Sequence, residues 1–296
     1  HLTSARLAQI ADGVDPSGSY ADVTQPDAVV VDDRAALQDQ VKSLRHVTAS
    51  IHALVRTADA AYVMASANAR PGSAMPSVSL PDRAVLRVAG PDAEHFLQNI
   101  VTADLSDLPP DAAKPSALLT PQGKILFDFL IARDGPDAFL LDVRGDVIDD
   151  FIRRLMMYRL RAKADISKQE QMLVSAEWEG DSDCSANESS ASQIDSTGSL
   201  GFHDLRFAPR TVLRRYATTD QASDHIGAWN RLRISEGVAE SGSDYALSDV
   251  FPHDVLLDQN GGIGFRKGCY VGQEVVSRMQ HRGTARRRAL IGSADT

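Results

Sequence analysis

The sequence predicts an α+β fold, and three observations carry the prediction. "AVLRVAG" at 84–90 alternates like a strand and runs into "PDAEHFLQNIVTADL", where Pro91 at a first-turn position and Asp92 and Glu94 near the positive end favour a helix. "ALLTPQGKILFDFLIARDG" reads as a hairpin turning at Pro121–Gly123. "DVIDDFIRRLMMYRL" sets Val147, Phe151, Leu155 and Tyr158 on one helical face before "RAKADI" and "MLVSAEW" return to strand character. Strands, helix and strands in this order describe a compact α+β unit over roughly 116–178.

The remaining elements follow in chain order. From Leu37 to Tyr62 a four-three alternation of apolar residues predicts one long amphipathic helix, packed on the body or forming a dimerising seam. "ARPGSAMPS" at 69–77 stops it and reads as a linker. "FLLDV" at 139–143 adds a strand. Residues 179–200 hold seven serines and almost no large apolar side chain, which predicts a loop, with Cys184 an incidental thiol inside it. "HIGAWNRLRISEG" at 225–237 predicts a helix ended by Gly237 just past its C-terminus.

Composition narrows the function classes. With 43% apolar residues the 296-residue chain can build real cores, and no apolar run approaches the length of a membrane span. Neither a secretory signal nor an Arg-rich transit segment is read near Asp12, Asp15 and Asp22, so the expectation is a cytoplasmic protein with no membrane partner. A net charge of −9 argues against stable DNA binding. Two cysteines, Cys184 and Cys269, give no disulfide framework and no zinc pair, and a single chain needs four thiolates to hold an iron–sulfur cluster by cysteine alone. No metal site is expected.

"KGCYVGQE" at 267–274 is the most unusual stretch. Five of the twenty glycines fall between 261 and 272, where the backbone must bend or admit a close neighbour, yet the spacing fits neither the dinucleotide nor the Walker phosphate loop. Lys267 and Arg266 lie near Cys269 in sequence, a setting that raises a thiolate fraction. Gln273 and Glu274 carry donors and acceptors suited to a planar heterocycle, while Glu274 equally suits a helix N-terminus. Arg278, Arg282 and Arg286–Arg288 follow, read either as a local anion site or as a solvated surface run.

"KGCYVGQE" with Arg278 and "HRG" resembles the signature of the YgfZ-type folate-binding proteins, relatives of the glycine-cleavage T-protein that include the mitochondrial iron–sulfur maturation factor. "FLQNIVTADLS", "LLTPQGKIL", "YRLRAKADI" and "LRISEGV" fall in the family's order, so the resemblance covers about 75–290. It implies a T-protein-like multidomain ring around a folate channel. Residues 77–115 and 200–283 would form a discontinuous first, folate-binding domain, 116–199 a ferredoxin-like second domain, and 284–296 the start of a C-terminal β-barrel that is missing or truncated; 1–74 would be a helical extension outside the match.

The resemblance implies a tetrahydrofolate-binding accessory factor for assembly or repair of 4Fe–4S proteins, with effects on tRNA-modifying enzymes. Its partners would be folate and iron–sulfur client or assembly proteins; the oligomeric state stays open. By carry-over Lys267 and Cys269 are the reactive pair, and Gly272, Gln273, Glu274, Asn99, Thr102, Gln122 and Arg278 the folate-binding candidates. A T-protein carries adjacent aspartates after the corresponding glycine turn, whereas Phe127 precedes a lone Asp128 here, which weakens an aminomethyl-transferase alternative in which Asp128 handles the amine. A third reading is a noncatalytic partner-binding module.

Overall fold

The computed structural model describes residues 75–179, 199–207, 210–219, 225–282 and 287–291. The helix expected at 37–62 and almost all of the serine-rich stretch with Cys184 lie outside them. Among the described residues the strands are β1 (Ser77–Ser79), β2 (Arg83–Ala89), β3 (Ala112–Leu119), β4 (Ile125–Arg133), β5 (Ala138–Arg144), β6 (Asp165–Lys168), β7 (Leu173–Trp178), β8 (Leu200–Asp204) and β9 (Val212–Ala217). The helices are α1 (Ala93–Gln98), α2 (Ile148–Arg159), α3 (Ile226–Ser235) and α4 (Gln273–Arg282).

The strands join into one sheet in the order β1-β7-β9-β8-β3-β4-β5-β2-β6, antiparallel except for β3 against β8. Strands from 77–115 and 200–283 thus pair with strands from 116–199, and β3 itself runs across residue 115. Every residue of β3 is buried, as befits a central strand covered on both faces. The hairpin after β3 turns where expected: Gly123 has φ 82°, a conformation glycine adopts without strain, and Thr120 N–H donates to the Lys124 carbonyl at 2.8 Å.

The parallel pairing of β3 with β8 lasts only from Ala112 to Ala113, and then the sheet opens. Pro115 sits in the opened stretch, where a missing N–H leaves no ladder bond unmade on that side. Farther on, Thr102 N–H donates to the Ala117 carbonyl at 2.9 Å and Val101 bridges Leu118. That bridge explains why α1 stops at Gln98, short of the helix expected through Leu105: Ile100 and Val101 N–H both close onto the Leu97 carbonyl, and the chain leaves to pair with β3.

α2 buries Phe151 and Leu155 as its periodicity predicts, with Phe151 lying 4.9 Å from the Phe127 ring and 5.0 Å from the Phe129 ring. α3 buries Trp229 beside Trp178 and Phe207, and Gly237 takes φ 69° after it, the expected stop. A third core cluster gathers Leu119, Ile125, Val255, Leu257, Ile263, Tyr270 and Val276, so the "KGCYVGQE" segment packs on the end of the β3–β4 hairpin. β1, β8, β9 and α4 have no counterpart in the elements expected from sequence.

Candidate functional site

A cleft occupies the opening beside β3. Its polar lining is Arg83, Ser116, Asp128, Arg206, Tyr245 and Asn260, and Val255 and Leu257 supply apolar wall. Tyr245 shares the lining with Asp128; burial, and then the neighbouring Asp128 charge, push its phenol well above the usual range. The Asn260 side-chain oxygen is buried with no protein donor, an acceptor left for a ligand N–H.

Buried charge holds the cleft wall rigid. Asp142 is fully buried and accepts from Arg83 Nε and Arg214 Nε, each at 2.7 Å. Burial alone would raise its carboxyl, but the two guanidinium groups hold it below the usual range. Arg206 forks onto Asp204, with Nη2 to Oδ2 at 2.7 Å, and reaches Glu240 at 3.2 Å. Both arginines that face the cleft are therefore already paired with carboxylates. Asn260 Oδ1 is the unpartnered acceptor of the lining and Asp128 adds a carboxylate, while the Ser116 oxygen already accepts from Ala103 N–H at 3.1 Å.

The glycine-rich segment connects this cleft to the cysteine. Thr102 is completely buried; its hydroxyl donates to the Gly262 carbonyl at 2.7 Å and accepts from Ala117 N–H at 2.9 Å. Gly264 N–H donates back to the Thr102 carbonyl at 2.8 Å. Lys267 then turns inward, its ammonium donating to the Val101 carbonyl at 2.7 Å and the Ala103 carbonyl at 2.8 Å, 5.1 Å from the centre of the Tyr270 ring. Burial pushes its pKa down to about 8, with Asp104 opposing the shift. Gly264 is required here, since a Cβ would stand 2.8 Å from the Lys267 stem and 2.9 Å from Asp104 Cβ.

Beyond the cysteine the chain is anchored again. Gly272 has φ 80° and packs so close to the hairpin that a Cβ would lie 2.6 Å from the Thr120 carbonyl oxygen. Lys267 and Tyr270 are buried, while Gly268 and Cys269 between them are exposed. The segment thus fixes both flanks of a thiol and leaves the thiol itself in solvent.

The sequence-derived residues divide accordingly. Lys267, Cys269, Gly272 and Gln273 form one continuous segment leading into α4, and Gln122 stands exposed on the hairpin whose Gly123 meets Val275 and Gly272. Glu274 and Arg278 are exposed on α4 and paired with each other at 2.8 Å. Asn99 caps α1, donating to the His95 carbonyl at 2.8 Å on the surface. Thr102 spends its hydroxyl on the backbone, so its role is to tie the glycine segment to β3. Asp128 stands in the cleft, whose lining includes none of the 267–278 residues. Tyr245 and Asn260 were missed by sequence reasoning, and no local motif marks them.

No family model matches the sequence. The chain is 30% identical over 260 residues to the iron-sulfur cluster assembly factor IBA57 homolog, mitochondrial, of Chaetomium globosum, covering 75% of this chain and 57% of the relative. Against the iron-sulfur cluster assembly factor IBA57, mitochondrial, of Mus musculus it is 29% identical over 248 residues, covering 77% of this chain and 68% of the relative. The fold matches the crystal structure of the glycine cleavage system aminomethyltransferase T from Bartonella henselae with a TM-score of 0.52 at 15% identity, over 70% of this chain and 63% of that one.

The fold is that of the T-protein-like, or aminomethyltransferase-like, proteins. In sequence the chain is similar to proteins named IBA57 iron-sulfur cluster assembly factors, and it spans little more than half the length of the first of those relatives. The mitochondrial names of these relatives overturn the cytoplasmic expectation, which had rested on acidic residues near Asp12–Asp22.

Proposed function

We propose that this chain acts in iron–sulfur cluster assembly in the mitochondrion, presenting Cys269 to a partner protein. The observation that carries the reading is an exposed thiol between two buried anchors, Lys267 and Tyr270, in a chain whose relatives are named iron-sulfur cluster assembly factors. One thiolate cannot hold a cluster by itself, so Cys269 supplies one ligand and the partner the others. The cluster is cargo, and the exchange is of ligands, with a partner thiolate leaving iron as Cys269 sulfur binds it. Partners are iron–sulfur assembly or client proteins, and effects on tRNA-modifying enzymes would follow through their clusters.

Folate is the ligand whose donors suit the cleft, although the space beside β3 is about the size of one water and must open to admit a pterin ring. Asp128 and the unpartnered Asn260 oxygen offer acceptors to the N–H edge of a pterin, and Val255 and Leu257 offer apolar contact to its ring. When bound, tetrahydrofolate would supply a one-carbon carrier; the protein's part is to orient its ring. The place of Asp128 in the lining beside Tyr245 also supports the aminomethyl-transferase alternative, because it offers a carboxylate where an amine would be received.

The test is the activity of a 4Fe–4S enzyme in cells lacking their own member of this family, complemented with this chain. Restored activity is expected; unchanged activity with soluble protein present overturns the assembly reading. Calorimetry with tetrahydrofolate addresses the cleft, where Asn260→Ala and Asp128→Asn should each weaken binding, and equal binding by both removes the cleft as its site. Turnover of an aminomethyl donor lost in Asp128→Asn would favour the transferase reading instead.

A further inference from the structure

Outside the cleft lining, the C-terminal end of α2 carries apolar side chains in water. Met156 is 45% exposed, Met157 66% and Leu160 87%. Met156 and Met157 stand in the last turn of the helix and Leu160 is the residue that ends it, so three exposed apolar side chains gather at this end. Leu160 holds φ 46° and ψ −102°, a conformation costly for a branched side chain, as the helix gives way to the turn before β6.

Cations outnumber acids around these side chains, with Arg154, Arg159, Arg161 and Lys163 against Asp92 and Asp165. Among the described residues no carboxylate pairs with the side chains of Arg154, Arg161 or Lys163, and Arg159 donates to the Ala164 carbonyl at 3.2 Å. The acids nearby are Asp92, whose carboxylate accepts from the Lys163 backbone N–H at 2.7 Å, the exposed Asp165 in β6, and Asp149 and Asp150 at the opposite end of α2, with Asp150 paired to Arg153. Arg154, Arg161 and Lys163, whose side chains have no carboxylate partner among the described residues, are complementary to an anionic surface on a chain of net charge −9.

We propose that this end of α2 is a peripheral contact for an anionic lipid bilayer. Met157 and Leu160 seat at the headgroup–acyl boundary while Arg154, Arg161 and Lys163 meet lipid phosphates. The shape of the patch favours a bilayer over a protein. A stable protein interface needs on the order of 1,200–2,000 Å² of matched surface around a packed centre, commonly an aromatic or arginine anchor in a pocket. A few protruding aliphatic tips offer no such surface, whereas lipid chains deform around them and basic side chains add electrostatic attraction. The earlier expectation of no membrane partner rested on the lack of a spanning run. No helix among the described residues is long and apolar enough to cross a membrane, and a surface contact needs none.

The experiment is co-flotation of the full chain with vesicles of phosphatidylcholine containing about 30% phosphatidylglycerol, against pure phosphatidylcholine, at about 50 mM and about 300 mM salt. Binding is expected to the anionic vesicles at low salt and to be lost on neutral vesicles or at high salt. Met157→Ser with Leu160→Ser should lower partitioning at least about tenfold, and Arg161→Gln or Lys163→Gln about fivefold each. These side chains are exposed, so the variants should keep the wild-type melting temperature. No flotation by the wild type, or equal flotation by the double serine variant, overturns the proposal. Salt-sensitive self-association in the ultracentrifuge, lost in the same variants without vesicle binding, would also overturn it and assign the patch to a second copy.

Discussion

Replacing Lys267 with methionine separates the anchoring of the cysteine segment from its reactivity. The ammonium is buried, donates to two backbone carbonyls, and has its pKa pushed down from 10.5 to about 8. A lysine with a lower pKa folded than unfolded costs stability wherever the unfolded chain holds the extra proton. That cost is full below about pH 8 and is relieved as pH rises toward 10.5. Between about pH 7 and about pH 9.5 the relief amounts to about 2 kcal/mol from this group alone. Lys267→Met has no proton to lose there. Urea unfolding followed by the fluorescence of the buried Trp178 and Trp229 should therefore show the wild type gaining about 2 kcal/mol on the variant across that range. Other titrating groups cancel in the difference. A wild-type-minus-variant gap that does not change with pH would refute the buried, charged strut.

Three further changes test the supports of the site. Gly272→Ala forces a side chain into φ 80° and toward the Thr120 carbonyl, and should cost at least about 1–3 kcal/mol, read as a lower melting temperature; Gly268→Ala, with nothing within 4 Å of its Cβ, should be close to neutral. Asp142→Asn leaves Arg83 and Arg214 short of their shared charge and should cost about 3–5 kcal/mol in denaturant unfolding. Because the folded carboxyl of Asp142 sits below its ordinary 3.8, its contribution is present above that pH and disappears as pH falls through the folded value. Thr102→Val orphans the Gly262 carbonyl and Ala117 N–H, costing about 1–3 kcal/mol by the same measurement, while Thr102→Ser should recover most of it.

What the sequence made legible was local. The hairpin at Pro121–Gly123, the apolar face of α2 and the Gly237 stop depend on residues a few places apart, and each stands where periodicity or turn chemistry puts it. The length of α1 was misread because Ile100 and Val101 continue an apolar pattern; what ends the helix is pairing with Leu118, a contact no local pattern contains. α4 escaped notice because its buried residues, Val276 and Met279, are embedded in a polar run. The cleft was illegible for the same reason at larger scale. Arg83, Asp142 and Arg214 meet across separations of 59 and 72 residues, and Tyr245 and Asn260 reach Asp128 and Ser116 only because β8 leaves β3 after Ala113. Lys267 was marked as part of a reactive pair from its nearness to Cys269, yet its ammonium points to the Val101 and Ala103 carbonyls, so the structure gives it an anchoring task.

The most direct measurement compares this chain with its Cys269→Ala form in cells lacking their own family member, reading the activity of a 4Fe–4S enzyme at matched levels of soluble protein. Cys269 is exposed and bears no packing load, so the substitution should leave folding intact. Rescue by the parent chain and none by Cys269→Ala is the predicted result. Equal rescue by both would contradict the account, because the thiol that the Lys267 and Tyr270 anchors hold in solvent would then do nothing.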